Sequence, residues 1–240
     1  MTGILTILQA RMSSSRLPGK VLRPILGQPM MARQIERLRR ARHLGRLVVA
    51  TSIGPEDDVV AAETKRLGTA SFRGSLLDVL DRYAGALAAF GAADHVVRVT
   101  ADCPLTDWTV FDQVVERHLA SGADYTSNTV DRSYPKGLDV EIVRAELLTL
   151  AAAEGQDPYE REHVTPFFYR RPERFHIEQL VQAPRLDALR WTVDTPDDFA
   201  FTARVYETLH PAKPDFLSDD ILALPWSRWE GEPLGPDWPR

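Results

Sequence analysis

The chain has 240 residues, 44% of them hydrophobic, which is enough to bury one sizeable core and reads most simply as one domain with an appendage. Its 29 Lys and Arg against 34 Asp and Glu leave a formal charge of -5 and a pI near 5.7, which argues against a nucleic-acid groove or a face for an anionic membrane, since both need a surplus of cations. The single cysteine, Cys103, excludes an internal disulfide and argues against a thiolate zinc site, and the apolar run of MTGILTILQARM breaks at Gln9, too short for a signal-peptide core or a membrane span, so a soluble cytoplasmic protein is expected.

Apolar, β-branched runs alternate with stretches of helical period, the pattern of a mostly parallel sheet covered by helices. Ile4–Leu8 is predicted as a strand and Pro29 to about Arg42 as a helix with Met30, Ile35 and Leu38 inward. Leu47–Thr51 follows as a strand, and Pro55 to Leu67 as a helix stopped by Gly68. A short strand at Ala70–Phe72 leads to a helix capped by Ser75 that runs to about Phe90. His95–Thr100 is the next strand and 107–120 the next helix. Beyond Gly122 the pattern loosens into β-rich pieces near 124–128, 138–143, 174–181 and 189–193, with helical segments near 144–154, 159–170 and 196–209. This half looks inserted over the sheet, and Pro166 is expected to bend or end a helix. From Pro211 onward the chain carries six of its 17 prolines and three of its 5 tryptophans, Trp226, Trp229 and Trp238, so an ordered coil wrapping the core or a neighbouring subunit is expected.

The stretch ILTILQARMSSSRLPGK places Arg11, Arg16 and Lys20, with three serines and a glycine, in a loop directly after the first strand. A triphosphate asks for this donor set: forked guanidinium groups, a point-charge ammonium, and hydroxyl or backbone donors that approach closely. Two better-known phosphate signatures are missing. Walker A would need glycine at Ser14 and Ser or Thr at Val21, and no G-x-G-x-x-G occurs. The alternative is a solvated basic turn.

In open α/β sheets ligands bind beyond the carboxyl ends of the strands, and two predicted strands end in an aspartate. Asp102 closes VVRVTAD and Asp194 closes LRWTVD; if both strands neighbour the first, both carboxylates face the basic loop. Magnesium in nucleotide enzymes takes one or two such carboxylates and completes its shell with phosphate and water. Asp194 could instead cap the helix that begins at Pro196, and Asp102 could be a turn residue. Asp197 and Asp198 suit the dipole of that helix. Arg73-Gly74-Ser75 suits a ribose or phosphate, or an ordinary N-cap with Asp78 at the third helical position. The clusters YPKGLDVE and YEREH put Lys136, Asp139, Glu162 and His163 among other charges, where plain surface is an equal reading.

Taken in order, QARMSSSRLPGKVL, GQPMMARQIERL, VVATS, FRGSLLDVLDRY, VRVTADCPL, SGADYTSNT, YPKGLDVEI, EREHVTPF and WTVDTPDDF make residues 4–209 resemble the cytidylyltransferases that activate acidic sugars as CMP conjugates, most closely the branch named for spore coat polysaccharide biosynthesis protein F. The resemblance implies a Rossmann-like α/β nucleotidyltransferase domain over 1–210, a Pro- and Trp-rich extension over 211–240, and a homodimer formed through a β-rich inserted segment. It implies attack by an acceptor oxygen on the α-phosphorus of CTP, with Mg2+, and release of pyrophosphate. Carried over residue by residue, Arg11, Arg16 and Lys20 hold the triphosphate, Asp102 and Asp194 the magnesium; Ala10, Arg73, Ser75 and Ala101 lie near the cytidine; Lys136, Asp139, Glu162 and His163 receive the acceptor. The first loop also resembles that of 3-deoxy-manno-octulosonate cytidylyltransferase, but RGSLLD and TADCP stand where that enzyme has SGTER and QGDEP. Relatives also act on phosphonates. The rival readings are a metal-dependent glycosyltransferase on a similar core, with Asp139-Val-Glu141 in place of its Asp-x-Asp, and a catalytically silent nucleotide-binding protein; a nicotinamide dehydrogenase lacks its glycine fingerprint.

Overall fold

The first strand, β1 (Ile4–Gln9), is apolar but for Thr6 and Gln9, and its four central residues are buried, as a central strand requires when helices cover both faces of its sheet. In a computed structural model, which describes residues 3–91, 93–226 and 229–231, β1 pairs in parallel with β2 (Arg46–Ser52) on one side and with β4 (His95–Thr100) on the other. The strand β3 (Ala70–Gly74) joins β2 in parallel at one edge. On the far side β6 (Glu141–Arg144) pairs antiparallel with both β4 and β5 (Tyr125–Ser127), and β7 (Ile177–Gln179) closes the other edge in parallel with β5. The order is therefore β3-β2-β1-β4-β6-β5-β7, with only β6 running against the rest. The later β-rich pieces extend the sheet at its edge and do not lie over it.

Helices α1 (Met30–Leu38) and α4 (Trp108–Ser121) cover one face, burying Met31, Ile35, Phe111 and Val115 against Leu8, Val49, Val97 and Val99. The opposite face carries α3 (Val79–Phe90), α5 (Ala145–Glu154) and α7 (Pro166–Tyr169), whose Val79, Tyr83, Leu148 and Phe168 pack on Leu5, Ile7, Val48 and Val96. Between these comes α2 (Asp58–Arg66), after a single tight turn at Pro55–Asp57 and before Gly68 at φ +61.

Two local expectations, the Ser75 cap and the 189–193 strand, differ from the fold, while the break expected at Pro166 is present. The helix after Arg73-Gly74-Ser75 starts at Val79, because the Asp78 side chain accepts the Asp81 N–H and is the cap, while Ser75 Oγ accepts the Asp78 N–H from outside the helix. The 159–170 stretch is two helices, α6 (Pro158–His163) and α7, parted by Val164 at φ 70 and by Pro166, which supplies no N–H for a continuous helix. Residues 189–193 form no strand of the sheet: Trp191 N–H donates to the Lys136 carbonyl and Val193 N–H to the Asp102 carbonyl, at 2.6 and 2.7 Å, so the segment is held by two loops. Gly137 makes that approach possible, since at φ +118 a Cβ there would meet the Trp191 and Thr192 backbone at 2.6 Å.

A third apolar cluster lies outside the two sheet faces. Trp191 and Val193, Phe201, Val205 and Tyr206 of α8 (Pro196–Leu209), and Phe216, Ile221 and Trp229 pack with Leu17, Ile25 and Leu105. The described residues after Pro211 thus fold back on the rest of the chain and include a five-residue helix, α9 (Ser218–Leu222), where coil was expected. Trp238, also assigned to that wrapping, lies outside the described residues. Among the described residues no helix is long and apolar enough to cross a membrane.

Candidate active site

The loop after β1 is shaped before any ligand arrives. Asp57, fully buried, accepts the Met12 N–H at 2.7 Å and the Ser52 N–H at 3.1 Å, and so ties the start of the loop to the end of β2. Met12 carbonyl then accepts from Ser14 and Gly19, folding residues 12–19 back on themselves. Gly19 takes φ +70, a conformation that glycine adopts without strain, and the turn delivers Lys20 into the interior with 8% exposure. Leu17 and Val21 are buried on either side, which leaves Ser13, Ser15 and Arg16 facing solvent.

Lys20 Nζ is the meeting point of the site. It donates to the Val193 carbonyl at 2.6 Å, to Asp194 Oδ1 at 3.0 Å and to Asp102 Oδ2 at 3.4 Å. The second Asp102 oxygen accepts the Thr100 hydroxyl at 2.6 Å. Helix α1 braces the turn that carries Asp102, with Gln34 Nε2 on the Thr100 carbonyl and Arg37 Nε on the Thr106 carbonyl. Asp194 reaches the same place by a different route from the predicted one: the 189–193 segment is docked by its Val193 N–H on Asp102 and by the third apolar cluster, and no sheet ladder carries it.

Asp194 does not cap α8. Thr195 does, in a capping box with Asp198, and Pro196 stands at the first helical position. The Asp194 carboxylate is left for cations, with Arg16 Nη2 at 3.0 Å and Arg190 Nη2 at 2.8 Å in addition to Lys20. Burial pushes its carboxyl up, but Lys20, Arg16 and Arg190 outweigh burial and hold it below the usual carboxylate range. Asp198 goes further: burial opposes the charge, yet Arg190, two backbone N–H groups and the Trp229 indole hold its carboxyl down at about 2. Cys103 is no nucleophile here, since burial first and the Asp102 charge second push its thiol well above its ordinary value.

Arg16, Lys20, Asp102 and Asp194 edge a cleft of about 320 Å3 at the carboxyl ends of β1 and β4. Of the residues nominated from sequence, Ala10, Arg11, Arg16, Lys20, Ala101, Asp102, Glu162, His163 and Asp194 line it. Arg11 makes no ion pair among the described residues, so its charge is available there. The other four are elsewhere. Arg73 donates to the Ser52 and Gly54 carbonyls and pairs with Asp58 at 2.6 Å; Ser75 is spent on the Asp78 N–H; Lys136 is exposed; and Asp139 takes both arms of the Arg132 guanidinium, at 2.5 and 2.8 Å. Sequence reasoning missed Arg98 in the cleft wall and Arg190 behind Asp194. The signal for Arg98 was a charge set among the valines of HVVRVT.

A cytidylyltransferase family model matches residues 5–210. An uncharacterized protein of Methanocaldococcus jannaschii is 36% identical over 198 residues, covering 82% of this chain and 80% of that one. The spore coat polysaccharide biosynthesis protein SpsF of Bacillus subtilis is 32% identical over 232 residues, 93% of this chain and 94% of its own. The solved structure of a cytidylyltransferase from Leptospira borgpetersenii superposes with a TM-score of 0.90 at 28% identity, over 98% of this chain and 100% of that one.

Proposed function

The chain belongs to the cytidylyltransferase family, and from that premise we propose that it transfers CMP from CTP to an acidic sugar acceptor of the nonulosonic-acid kind, releasing pyrophosphate. One observation carries the reading: two carboxylates, Asp102 and Asp194, converge on a single cationic centre, Lys20 Nζ, in a cleft that also holds Arg11 and Arg16. Two hard oxygen donors around one positive point, beside cations that favour phosphate, suit a divalent ion shared between protein and nucleotide. Asp102 and Asp194 would hold magnesium, which supplies neutralisation of triphosphate charge and polarisation of the α-phosphoryl group.

The remaining work belongs to the side chains. Arg11 and Arg16 offer forked donors to the non-bridging oxygens and Lys20 a point charge to the same group. Ala10 and Ala101, both 2% exposed, leave room for a flat base between the ends of β1 and β4, and Arg73 and Ser75 stand two strands further out, on and just after β3. Glu162 and His163, on the last turn of α6, face the acceptor end. The acceptor hydroxyl oxygen bonds to the α-phosphorus, the bond from that phosphorus to the β-phosphate bridge breaks, and the hydroxyl proton passes to water. Such a transfer asks for alignment and charge stabilisation and for no protein nucleophile. A single buried cysteine and use of CTP fit the cytoplasm, and a homodimer follows the family pattern.

Pyrophosphate release, followed with each of the four ribonucleoside triphosphates against sugar acids, neutral sugars and phosphonates, tests the reading. Turnover is expected with CTP and a nonulosonic acid. Release of a free nucleoside diphosphate, or turnover confined to phosphonates, overturns it.

A further inference from the structure

Arg98 sits in the middle of β4, where a charge is expensive. Its side chain is only 19% exposed, on the sheet face that carries Tyr83 and Tyr125. Glu141 lies opposite it in the antiparallel register of β4 and β6, and Arg98 Nη1 is hydrogen-bonded to Glu141 Oε2. The other Glu141 oxygen accepts the Tyr125 hydroxyl at 2.7 Å. Glu141 is therefore fixed from both sides, and it fixes the guanidinium in turn. Burial works against the Arg98 charge, but Glu141 beside it more than restores the preference for the protonated form.

Such a pair could serve the core alone, but Arg98 also lines the cleft. A guanidinium carries five N–H donors, and the contact with Glu141 commits one nitrogen. The other permanent cations lining the cleft, Arg11, Arg16 and Lys20, all come from one loop: Arg16 and Lys20 pair with Asp102 and Asp194, and on the reading above all three serve the triphosphate. Lys136, a sequence candidate for the acceptor, is exposed outside the cleft, and Asp139 is neutralised by Arg132. An acidic acceptor entering between Glu162 and Arg98 would thus find one permanent cation that the nucleotide does not claim.

We propose that Arg98 anchors the acidic group of the acceptor, a carboxylate or another oxyanion, and so sets the requirement for an acidic substrate. The proposal rests on the cytidylyl-transfer reading above. Glu141 and Tyr125 hold the guanidinium ready, so that little ordering remains to be done when the acceptor binds.

Two variants test it: Arg98→Lys, which keeps the charge and loses the fork, and the double variant Arg98→Gln/Glu141→Gln, which removes both charges and leaves no buried carboxylate unpaired. Each is assayed for pyrophosphate release with CTP and N-acetylneuraminate, its carboxamide, and a phosphonate sugar. Loss of one charged hydrogen bond is worth roughly 10- to 100-fold in the acceptor KM. That rise is expected in the double variant, and a smaller one in Arg98→Lys, with the KM for CTP and the CTP-dependent rise in melting temperature held within about two-fold of wild type. Equal KM changes for both substrates, or an unchanged acceptor KM in a folded double variant, overturn the proposal. Wild-type turnover of the carboxamide as fast as the acid overturns it too, while leaving cytidylyl transfer standing. Wild-type enzyme that is stabilised by CTP yet takes no acid at all overturns the functional reading and Arg98's part in it together.

Discussion

One Asp102 oxygen accepts from Lys20 and the other from the Thr100 hydroxyl, so Asp102→Asn removes a charge and one acceptor while nearly preserving shape. On the proposed mechanism that loses one strong electrostatic contact at the reacting phosphate, and turnover should fall by roughly 100-fold or more with the melting temperature little changed. Near-normal turnover would remove Asp102 from the mechanism. The Asp194 and Asp198 carboxyls are both held below their ordinary value of 3.8, Asp198 at about 2. A carboxyl depressed on folding adds stability that is present above its unfolded pKa and is lost as pH falls through its folded one. Arg190→Gln removes the cation shared by both, so the variant should lie below wild type at pH 7 and converge with it as the pH drops from about 4 towards 2. Urea unfolding at pH 7, 4 and 2.5 checks this, and a difference that widens in acid would contradict it. Arg11, Arg16, Lys20, Asp102 and Asp194 were legible in sequence because each stands in a loop that must be polar for some reason. Arg98 and Arg190 were not, since one interrupts a buried strand and the other sits in an apolar run, where the pattern carries no sign of the partner waiting across the fold.

The element that sets Asp194 is α8, and its start was legible to the residue. Pro196 presets the first turn, Thr195 Oγ1 accepts the Asp198 N–H at 3.2 Å, and Asp198 Oδ2 answers with bonds to the Thr195 and Asp194 N–H groups. Thr195→Ala should therefore cost about 1 kcal/mol, read as a shift in the denaturant midpoint without a change in slope. A loss no larger than that of an exposed surface substitution would mean the cap is carried by Asp198 alone. The neighbouring 189–193 segment was misread for the same kind of reason that α8 was read well: LRWTV has the residue types of a strand, but strand propensity records a half-buried pleated surface and not a partner. Here the partners are two loops, at Lys136 and Asp102, and only the folded chain supplies them. Ser75 was taken for a cap because serine before a helical period usually is one, while Asp78, three residues on, has the geometry to accept the Asp81 N–H at 3.0 Å.

At the scale of the molecule, the alternation of strands and helices gave the parallel core, but nothing in residues 141–144 announces that this strand runs against its neighbours or that the later pieces complete one sheet. The part played by the residues after Pro211 was legible only as an excess of aromatics. In the fold, Phe216 is fully buried, 5.3 Å from the Tyr206 ring and 4.2 Å beneath the Arg37 guanidinium, which also donates to the Phe216 carbonyl at 2.9 Å. Arg37 in turn holds the Thr106 carbonyl at the end of the turn that carries Asp102. The tail, α1 and the Asp102 turn are thus joined through one buried arginine. Phe216→Ala empties a ring-sized space in the third apolar cluster and should cost about 3–5 kcal/mol. Because that cluster also docks Val193 against Lys20, a second consequence follows for the site: at temperatures where the variant is still folded, its KM for CTP should rise while a surface control such as Lys65→Ala leaves both stability and KM unchanged. A Phe216→Ala protein as stable as wild type would show that residues beyond 210 merely lie on the domain; one that is less stable but binds CTP normally would show that the cluster supports the fold without setting the geometry around Lys20.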